Sequence, residues 1–329
     1  MRYAMTWSEA KIAAIHDVAP SVREFTIVPA QGARPYAPGS HLNVEVMIEG
    51  RPDHRSYSLV GTGDGTRYRI AVKSHEDSRG GSRYMWGLPV GARLSITEPH
   101  NLFALEFGRP EYLLIAGGIG ITPIVSMVAA LERAHANWRM IYACRSRPDA
   151  AFLDHLQGLY GARIETRISD EGHRLDLTGE IAALAPGAQL YLCGPLRMLD
   201  AARAAWAQAQ RPLADLRFET FASGGLFAPE PFRVKIPRLG IDLEVPVDGS
   251  LLDTLEAAGV DVMADCRRGE CGLCALDVLE VEGQIDHRDV FLSDHEKEHN
   301  EKICACVSRA VGGSITLDTA YRPQATKAA

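Results

Sequence analysis

No stretch of this chain approaches the roughly 18 consecutive apolar residues that a membrane-spanning helix needs, so no membrane span is expected. Basic runs are missing too. Lys and Arg number 35 against 42 Asp and Glu, a formal net charge of −7, and the electrostatic footprint of a nucleic-acid binder is therefore absent. Arg2, Glu9, Lys11 and Asp17 interrupt the first residues, which lack the apolar stretch of a secretory signal. A soluble, cytoplasmic protein is expected, with a monomer as the default state. There is no internal repeat and no low-complexity tract. What is present is ample apolar material, 46% of 329 residues, enough for two or three cores. The seven cysteines are Cys144, Cys193, Cys266, Cys271, Cys274, Cys304 and Cys306. The last five crowd together, which in a reducing compartment points to a metal or redox site and away from disulfides.

Residues 1–105 read as β-rich. Leu42, Val44, Val46 and Ile48 alternate as in a half-buried strand, and short strands are expected at 25–28, 57–60, 68–72 and 93–97, a small barrel or sandwich. Over 106–222 the pattern becomes strand–helix alternation, with apolar runs at 112–116, 140–143 and 189–193 each followed by an amphipathic helix. That pattern implies a doubly wound parallel α/β sheet. Residues 223–231 read as a Gly/Pro linker. Residues 232–329 form a small α+β unit, opening with a hairpin through Leu239-Gly240 and a helix capped by Ser250 and Asp253 and closed by Gly259.

Cys266-Arg-Arg-Gly-Glu-Cys271-Gly-Leu-Cys274 has the C-x4-C-x2-C spacing of a plant-type [2Fe–2S] site. Zinc sites favour paired C-x2-C knuckles or Cys/His sets. Gly269 and Gly272 allow the backbone to approach the inorganic sulfides. The spacing leaves Cys304 and Cys306 both open as the fourth ligand. If the segment is extended, residues two apart share a face. Cys144, at a strand end, reads as a packed residue.

Gly117-Gly118-Ile119-Gly120-Ile121-Thr122-Pro123 joins a strand to a helix. Such a turn brings backbone N–H groups and a helix N-terminus to a pyrophosphate, and Pro123 suits a first helical turn. Cys193-Gly194-Pro195 ends another strand at the same carboxyl edge, where such sheets bind ligands. Its thiol reads either as a contact to a nicotinamide ring or as a core cysteine. Arg55-Ser56-Tyr57-Ser58-Leu59, following a strand, offers a phosphate-binding guanidinium, a ring to stack on isoalloxazine and hydroxyls for its polar edge. Arg79-Gly80-Gly81-Ser82 offers N–H groups for a phosphate.

In this order the motifs resemble the phthalate dioxygenase reductase family, the reductase components of Rieske non-haem iron oxygenases, over essentially the whole chain. The segments that carry the resemblance include Arg55–Leu59, Ala71-Val72-Lys73, Arg79–Ser82, Gly117–Pro123, Cys193–Pro195, Phe218–Phe221, the cysteine loop, Asp286-His287-Arg288-Asp289 and Cys306-Val-Ser-Arg-Ala310. The resemblance implies a flavin-binding β-barrel, an NAD-binding α/β domain and a β-grasp [2Fe–2S] ferredoxin domain. It implies FMN, in preference to FAD, against Arg55, Ser56, Tyr57, Ser58, Ala71, Val72, Lys73, Gly80, Gly81 and Ser82, with Phe221 shielding the flavin face. It implies a pyridine nucleotide at Gly117, Gly118, Gly120, Ile121, Thr122, Pro123, Cys193, Gly194 and Pro195. The cluster ligands it implies are Cys266, Cys271, Cys274 and Cys306. NADH is favoured over NADPH. Arg145 and Arg147 are compatible with a 2′-phosphate, but Asp170 disfavours one.

These parts define a two-to-one electron converter. NADH delivers a hydride, a cluster accepts single electrons, and flavin stands between them. No catalytic acid–base pair or nucleophile is required. Lys73 reads as a charge near the flavin or as a solvated lysine. The expected partner is a Rieske-type terminal oxygenase. The alternatives are a flavin reductase acting on free small acceptors, and an FAD-type iron–sulfur reductase, in which the ferredoxin domain usually comes first.

Overall fold

The computed structural model describes residues 6–74, 80–221 and 227–320. Arg79 and residues 223–226 of the expected linker lie outside them. The chain divides into two compact units, Tyr3–Phe221 and Ala222–Ala329.

The first unit begins with an antiparallel sheet of β1 (Trp7–Ala19), β2 (Val22–Pro29), β3 (His41–Ile48), β4 (Arg51–Ser58), β5 (Tyr68–Lys73) and β6 (Arg93–Thr97), in the order β4-β3-β6-β1-β2-β5. A bridge between Leu59 and Ile70 joins its two ends, so the sheet closes as a barrel around Ile12, Phe25, Ile27, Leu42, Val44 and Ile96. A short helix, α1 (Gly81–Trp86), lies between β5 and β6. The 13-residue β1 has no counterpart among the expected strands. Register shifts after Ile12 and after Asp17 break the alternation by which a strand is recognised. The Arg55–Ser58 motif comes after β3, as expected, and is itself strand, the second half of β4. Arg51, Pro52 and Asp53 hide β4 in the sequence, and an edge strand tolerates such residues.

Next come β7 (Tyr112–Gly117), α2 (Ile121–Arg133), β8 (Trp138–Cys144), α3 (Leu153–Tyr160), β9 (Ile164–Ile168), α4 (Leu177–Ala182), β10 (Gln189–Cys193), α5 (Leu196–Gln208) and β11 (Leu216–Glu219). The five strands are all parallel, in the order β11-β10-β7-β8-β9. Every residue of β7 is buried, as a strand covered by helices on both faces must be. After β7 the chain runs outward through β8 and β9, then returns to place β10 on the other flank. This creates a switch point between β7 and β10, where ligands bind in such sheets.

The second unit holds β12 (Phe232–Ile236), β13 (Ile241–Val245), α6 (Leu251–Ala257), β14 (Ala275–Val281), β15 (Gln284–Asp286), α7 (Asp294–Glu298), β16 (Lys302–Cys304), β17 (Arg309–Val311) and β18 (Ser314–Asp318). Its main sheet runs β13-β12-β18-β14-β16, with a parallel β12–β18 pair, and β15 pairs with β17. This is the expected β-grasp: Leu251, Leu252 and Leu255 of α6 pack into the core with Val234, Ile303 and Ile315. Ser250 Oγ accepts the Asp253 N–H at 3.0 Å, and Gly259 takes φ +78° after the helix. Among the described residues no helix is long and apolar enough to cross a membrane.

Candidate functional site

In the first unit a cleft of about 200 Å³ opens between the barrel and the parallel sheet. Its lining comprises Arg55, Ser56, Tyr57 and Ser58 from β4, Ala71, Val72 and Lys73 from β5, and Ser82 from α1. Ile119, Thr122 and Phe221 complete it. All but Ile119 are residues to which the sequence assigned a cofactor role. The hydroxyls are held in place: Ser56 Oγ donates to Asn43 Oδ1 at 2.6 Å and Ser58 Oγ to buried Glu219 at 3.4 Å. Arg55 is steadied by Asp53 Oδ2 at 2.5 Å and the His54 carbonyl at 2.8 Å. It crosses the start of α1 because Gly81 has no side chain: a Cβ there would lie 2.7 Å from Arg55 Cγ. Gly80 precedes it at φ +97°, a conformation that favours glycine. Burial pushes the Tyr57 phenol well above its ordinary range, with Arg55 pulling the other way, so the ring is a neutral wall. Lys73 is not merely solvated. It is partly buried and helps to hold the Asp149 carboxyl below its usual range, behind the Ser146 and Ser21 hydroxyls.

The two nucleotide motifs meet at the switch point. A Cβ on Gly117 would lie 2.7 Å from Pro195 Cδ and 3.1 Å from Gly194 Cα, and one on Gly120 would overlap the Cys193 carbonyl. Pro123 occupies the first turn of α2. Ile121 and Cys193 are fully buried and are not among the residues lining the cleft. Gly118 faces open space at φ +54°, and its carbonyl accepts from Tyr142. Beyond the carboxyl ends of β8 and β9, Arg147 grips Glu171 with two contacts of 2.9 Å, and Arg145 lies 3.9 Å from Asp170. The basic residues there thus already face carboxylates.

In the second unit the cysteines gather as a pair, Cys266 with Cys271, and a trio, Cys274 with Cys304 and Cys306. The Cys271 thiol is pulled down to about 6, first by its hydrogen bond with Cys266, and the Cys274 thiol to about 3 by Cys304 and Cys306. Cys266 Sγ accepts the N–H groups of Arg268, Glu270 and Cys271, each at 3.4 Å. Among the described residues no three His, Cys, Asp or Glu surround one point. Two separate sulfur groups, one with a cysteine to spare, suit a two-iron group, which needs two thiolates for each iron. Gly269 and Gly272 have φ of +77° and +72°, and side chains there would strike Asp289 with Val307, and Phe291, respectively. Cys304 ends β16 and Cys306 sits in the turn that follows, so strand alternation does not relate them as an extended segment would. Both reach Cys274, but Cys306 also receives the Gly269 N–H. Cys304 is fully buried in the apolar core.

Sequence reasoning missed Glu219 and Asn43, which anchor the cleft hydroxyls. The available signal was a glutamate in register with Cys193 on neighbouring strands, which only the fold reveals. It also gave Asp289 and Ser308 no role of their own.

Residues 234–311 match the 2Fe-2S iron-sulfur cluster binding domain, and residues 114–204 the oxidoreductase NAD-binding domain. The chain is 38% identical over 317 residues to the heme-dependent oxidative N-demethylase beta subunit of Ectopseudomonas mendocina, covering 95% of this chain and 99% of that one. It is 35% identical over 319 residues to the carnitine monooxygenase reductase subunit of Escherichia coli, covering 94% and 98%. Among solved structures, phthalate dioxygenase reductase is similar with a TM-score of 0.78 and 30% identity, covering 95% of this chain and 98% of that one.

Proposed function

We propose, on the premise that this chain belongs to the phthalate dioxygenase reductase family, that it takes a hydride from NADH onto FMN and passes single electrons through its [2Fe–2S] cluster to a Rieske-type terminal oxygenase. The observation that carries this reading is the convergence of Arg55–Ser58, Ala71–Lys73, Ser82, Thr122 and Phe221 on one cleft, beside the turn at which the two nucleotide motifs meet. The same reading divides the chain into a flavin barrel (1–105), an NAD domain (106–222), a linker (223–231) and a ferredoxin domain (232–329).

Flavin supplies the carrier that accepts electrons as a pair and releases them singly. The protein positions it. Arg55, Gly81 and Ser82 form a cradle for one terminal phosphate, which favours FMN. Ser56 and Ser58, fixed by Asn43 and Glu219, present hydroxyls to the polar edge of the ring. Tyr57 and Phe221 exclude water from it, and Lys73 adds positive charge beside it. Gly118 leaves room for the pyrophosphate of the nucleotide. The pairing of Arg147 with Glu171 and of Arg145 with Asp170 favours a ribose hydroxyl over a 2′-phosphate, and therefore NADH. Cys266, Cys271, Cys274 and Cys306 would hold the cluster, which would supply the one-electron carrier.

An absorption spectrum of anaerobically purified protein tests the reading. Flavin and cluster bands should bleach faster with NADH than with NADPH, and the released flavin should chromatograph as FMN. Colourless protein free of iron and sulfide would overturn the proposal, and released FAD would overturn its flavin. Arg55→Ala is expected to weaken flavin binding roughly 10- to 100-fold, the loss of one or two charge-assisted hydrogen bonds to phosphate. Fluorescence of released flavin measures it.

A second acceptor class has specific support. The Ectopseudomonas mendocina relative is a subunit of a heme-dependent demethylase, so a heme oxygenase is the alternative partner. Reduction assays with purified oxygenase components of each class separate the two.

A further inference from the structure

The Asp286-His287-Arg288-Asp289 segment has no part in the electron path described so far, yet its last residue is fully buried against the cysteine loop. Val290 N–H donates to the Gly269 carbonyl at 2.9 Å, and a Cβ on Gly269 would lie 2.8 Å from Asp289 Cα. The Asp289 carboxylate faces the other cysteine-bearing segment. Its Oδ1 accepts from Ser308 Oγ at 3.0 Å, two residues beyond Cys306, while Oδ2 accepts the Leu292 N–H at 2.9 Å. Ser308 is itself tied in, its N–H donating to the Cys304 carbonyl at 3.0 Å and its Oγ accepting the Arg288 N–H at 3.1 Å. The segment around Asp289 thus touches both cysteine-bearing stretches: its backbone bonds the three-cysteine loop at Gly269, and its carboxylate holds Ser308 beyond the turn that bears Cys306.

The group also carries charge. Burial works to raise the Asp289 carboxyl, but the His287 ring, the Leu292 N–H, Lys297 and Ser308 outweigh it and hold it below the usual range. Arg288 is engaged with Asp286 at 2.7 Å. Lys297 Nζ stands 3.8 Å from Oδ2 and donates to the Asp289 carbonyl at 2.6 Å. His287 Nδ1 is 3.7 Å from Oδ1, and its Nε2 faces Asn300 at 3.3 Å. A fixed negative charge in a low-dielectric interior opposes the arrival of an electron nearby, and net charge with hydrogen bonding sets the potential of iron–sulfur centres.

We propose that Asp289 is a positioning residue of the iron–sulfur site: its carboxylate pins the Cys306 segment, through Ser308, to the segment whose backbone holds the three-cysteine loop at Gly269, and it lowers the potential at which the cluster takes an electron. The inference rests on the four cysteines being the cluster site. In the full-length holoprotein, Asp289→Asn keeps the shape and removes the charge, whereas Ser308→Ala removes the pin and leaves the charge. The readouts are the midpoint potential, from a dye-mediated titration followed by electron paramagnetic resonance, and the rate of iron release to a chelator. Asp289→Asn should shift the midpoint upward and speed iron release about 10-fold, the usual scale for an outer-shell partner. Ser308→Ala should speed release with a much smaller shift. Wild-type midpoint and release rate in Asp289→Asn would overturn the proposal. Should that variant assemble no cluster, Ser308→Ala decides: release at the wild-type rate would refute the pin, and faster release would support it. Wild-type protein without iron and sulfide would sink the cluster assignment itself, a separate failure.

Discussion

Cys271→Ser is expected to leave hydride uptake from NADH intact while electron delivery to a one-electron acceptor falls by about two orders of magnitude or more, to the background of direct flavin leakage. The asymmetry follows from the fold. Cys271 lies in the second compact unit, whereas the cleft and both nucleotide motifs lie in the first, so the substitution removes a sulfur from the cluster site without touching a residue of the other. A serine hydroxyl ionises far less readily than a thiol, and the Cys271 thiol, down near 6 beside Cys266, is already biased toward the charged form that iron requires. Stopped-flow bleaching of the flavin by NADH should match wild type, iron and sulfide content should collapse, and cytochrome c reduction should fall with them. Wild-type cytochrome c turnover in iron-free protein would show that electrons leave from the flavin and that the ferredoxin unit only docks.

The sequence made the fold legible wherever burial imposes a simple period. The runs at 112–116 and 189–193 became β7 and β10, buried along their whole length, and the alternation of Phe232, Val234 and Ile236 became β12, buried on one face. The Ser250 cap was likewise readable, since the hydrogen bond of a cap is local. The strands that escaped did so for physical reasons. β1 carries two register shifts; β4, of which only the end at 57–58 was expected, is an edge strand of polar residues; and β9, Ile-Glu-Thr-Arg-Ile, buries only its two end residues. In the site, Arg55, Gly117 and the cysteine loop could be singled out from the sequence, because spacing within one segment is the signal. Glu219 and Asp289 could not announce themselves. Each acts across more than a dozen residues of sequence, on Ser58 and on Ser308 respectively, and such pairs exist only once the strands have been placed. The choice between Cys304 and Cys306 belongs to the same class, because it turns on which sulfur the Gly269 N–H reaches.

The glycine-rich turn separates two reasons for being glycine, and a pair of substitutions should tell them apart. Gly120 has an ordinary backbone, φ −61°, but a methyl there would overlap the carbonyl of Cys193. The obstacle is backbone at the end of a central strand, so nothing flexible can give way. Gly120→Ala should therefore push the start of α2 off β10 and lower the stability of the first unit by about 2–3 kcal/mol, the upper part of the range for overpacking. In a unit of this size that is a fall of roughly 5–10 °C in Tm, and NADH binding should weaken because the two nucleotide motifs no longer meet. Gly118 is the opposite case, with open space around its missing Cβ and φ of +54°. Gly118→Ala should cost only about 1 kcal/mol, the strain of a left-handed alanine, while raising the KM for NADH, since the methyl enters the space assigned to the pyrophosphate. Gly118→Asn should recover most of the stability, because asparagine tolerates that conformation, but none of the affinity. Asparagine at 120 should be worse than alanine. Thermal melts paired with NADH titrations measure both axes. A Gly120→Ala protein that melts with wild type would mean that the turn does not pack against Cys193, and the argument for a shared nucleotide edge would lose its geometric basis.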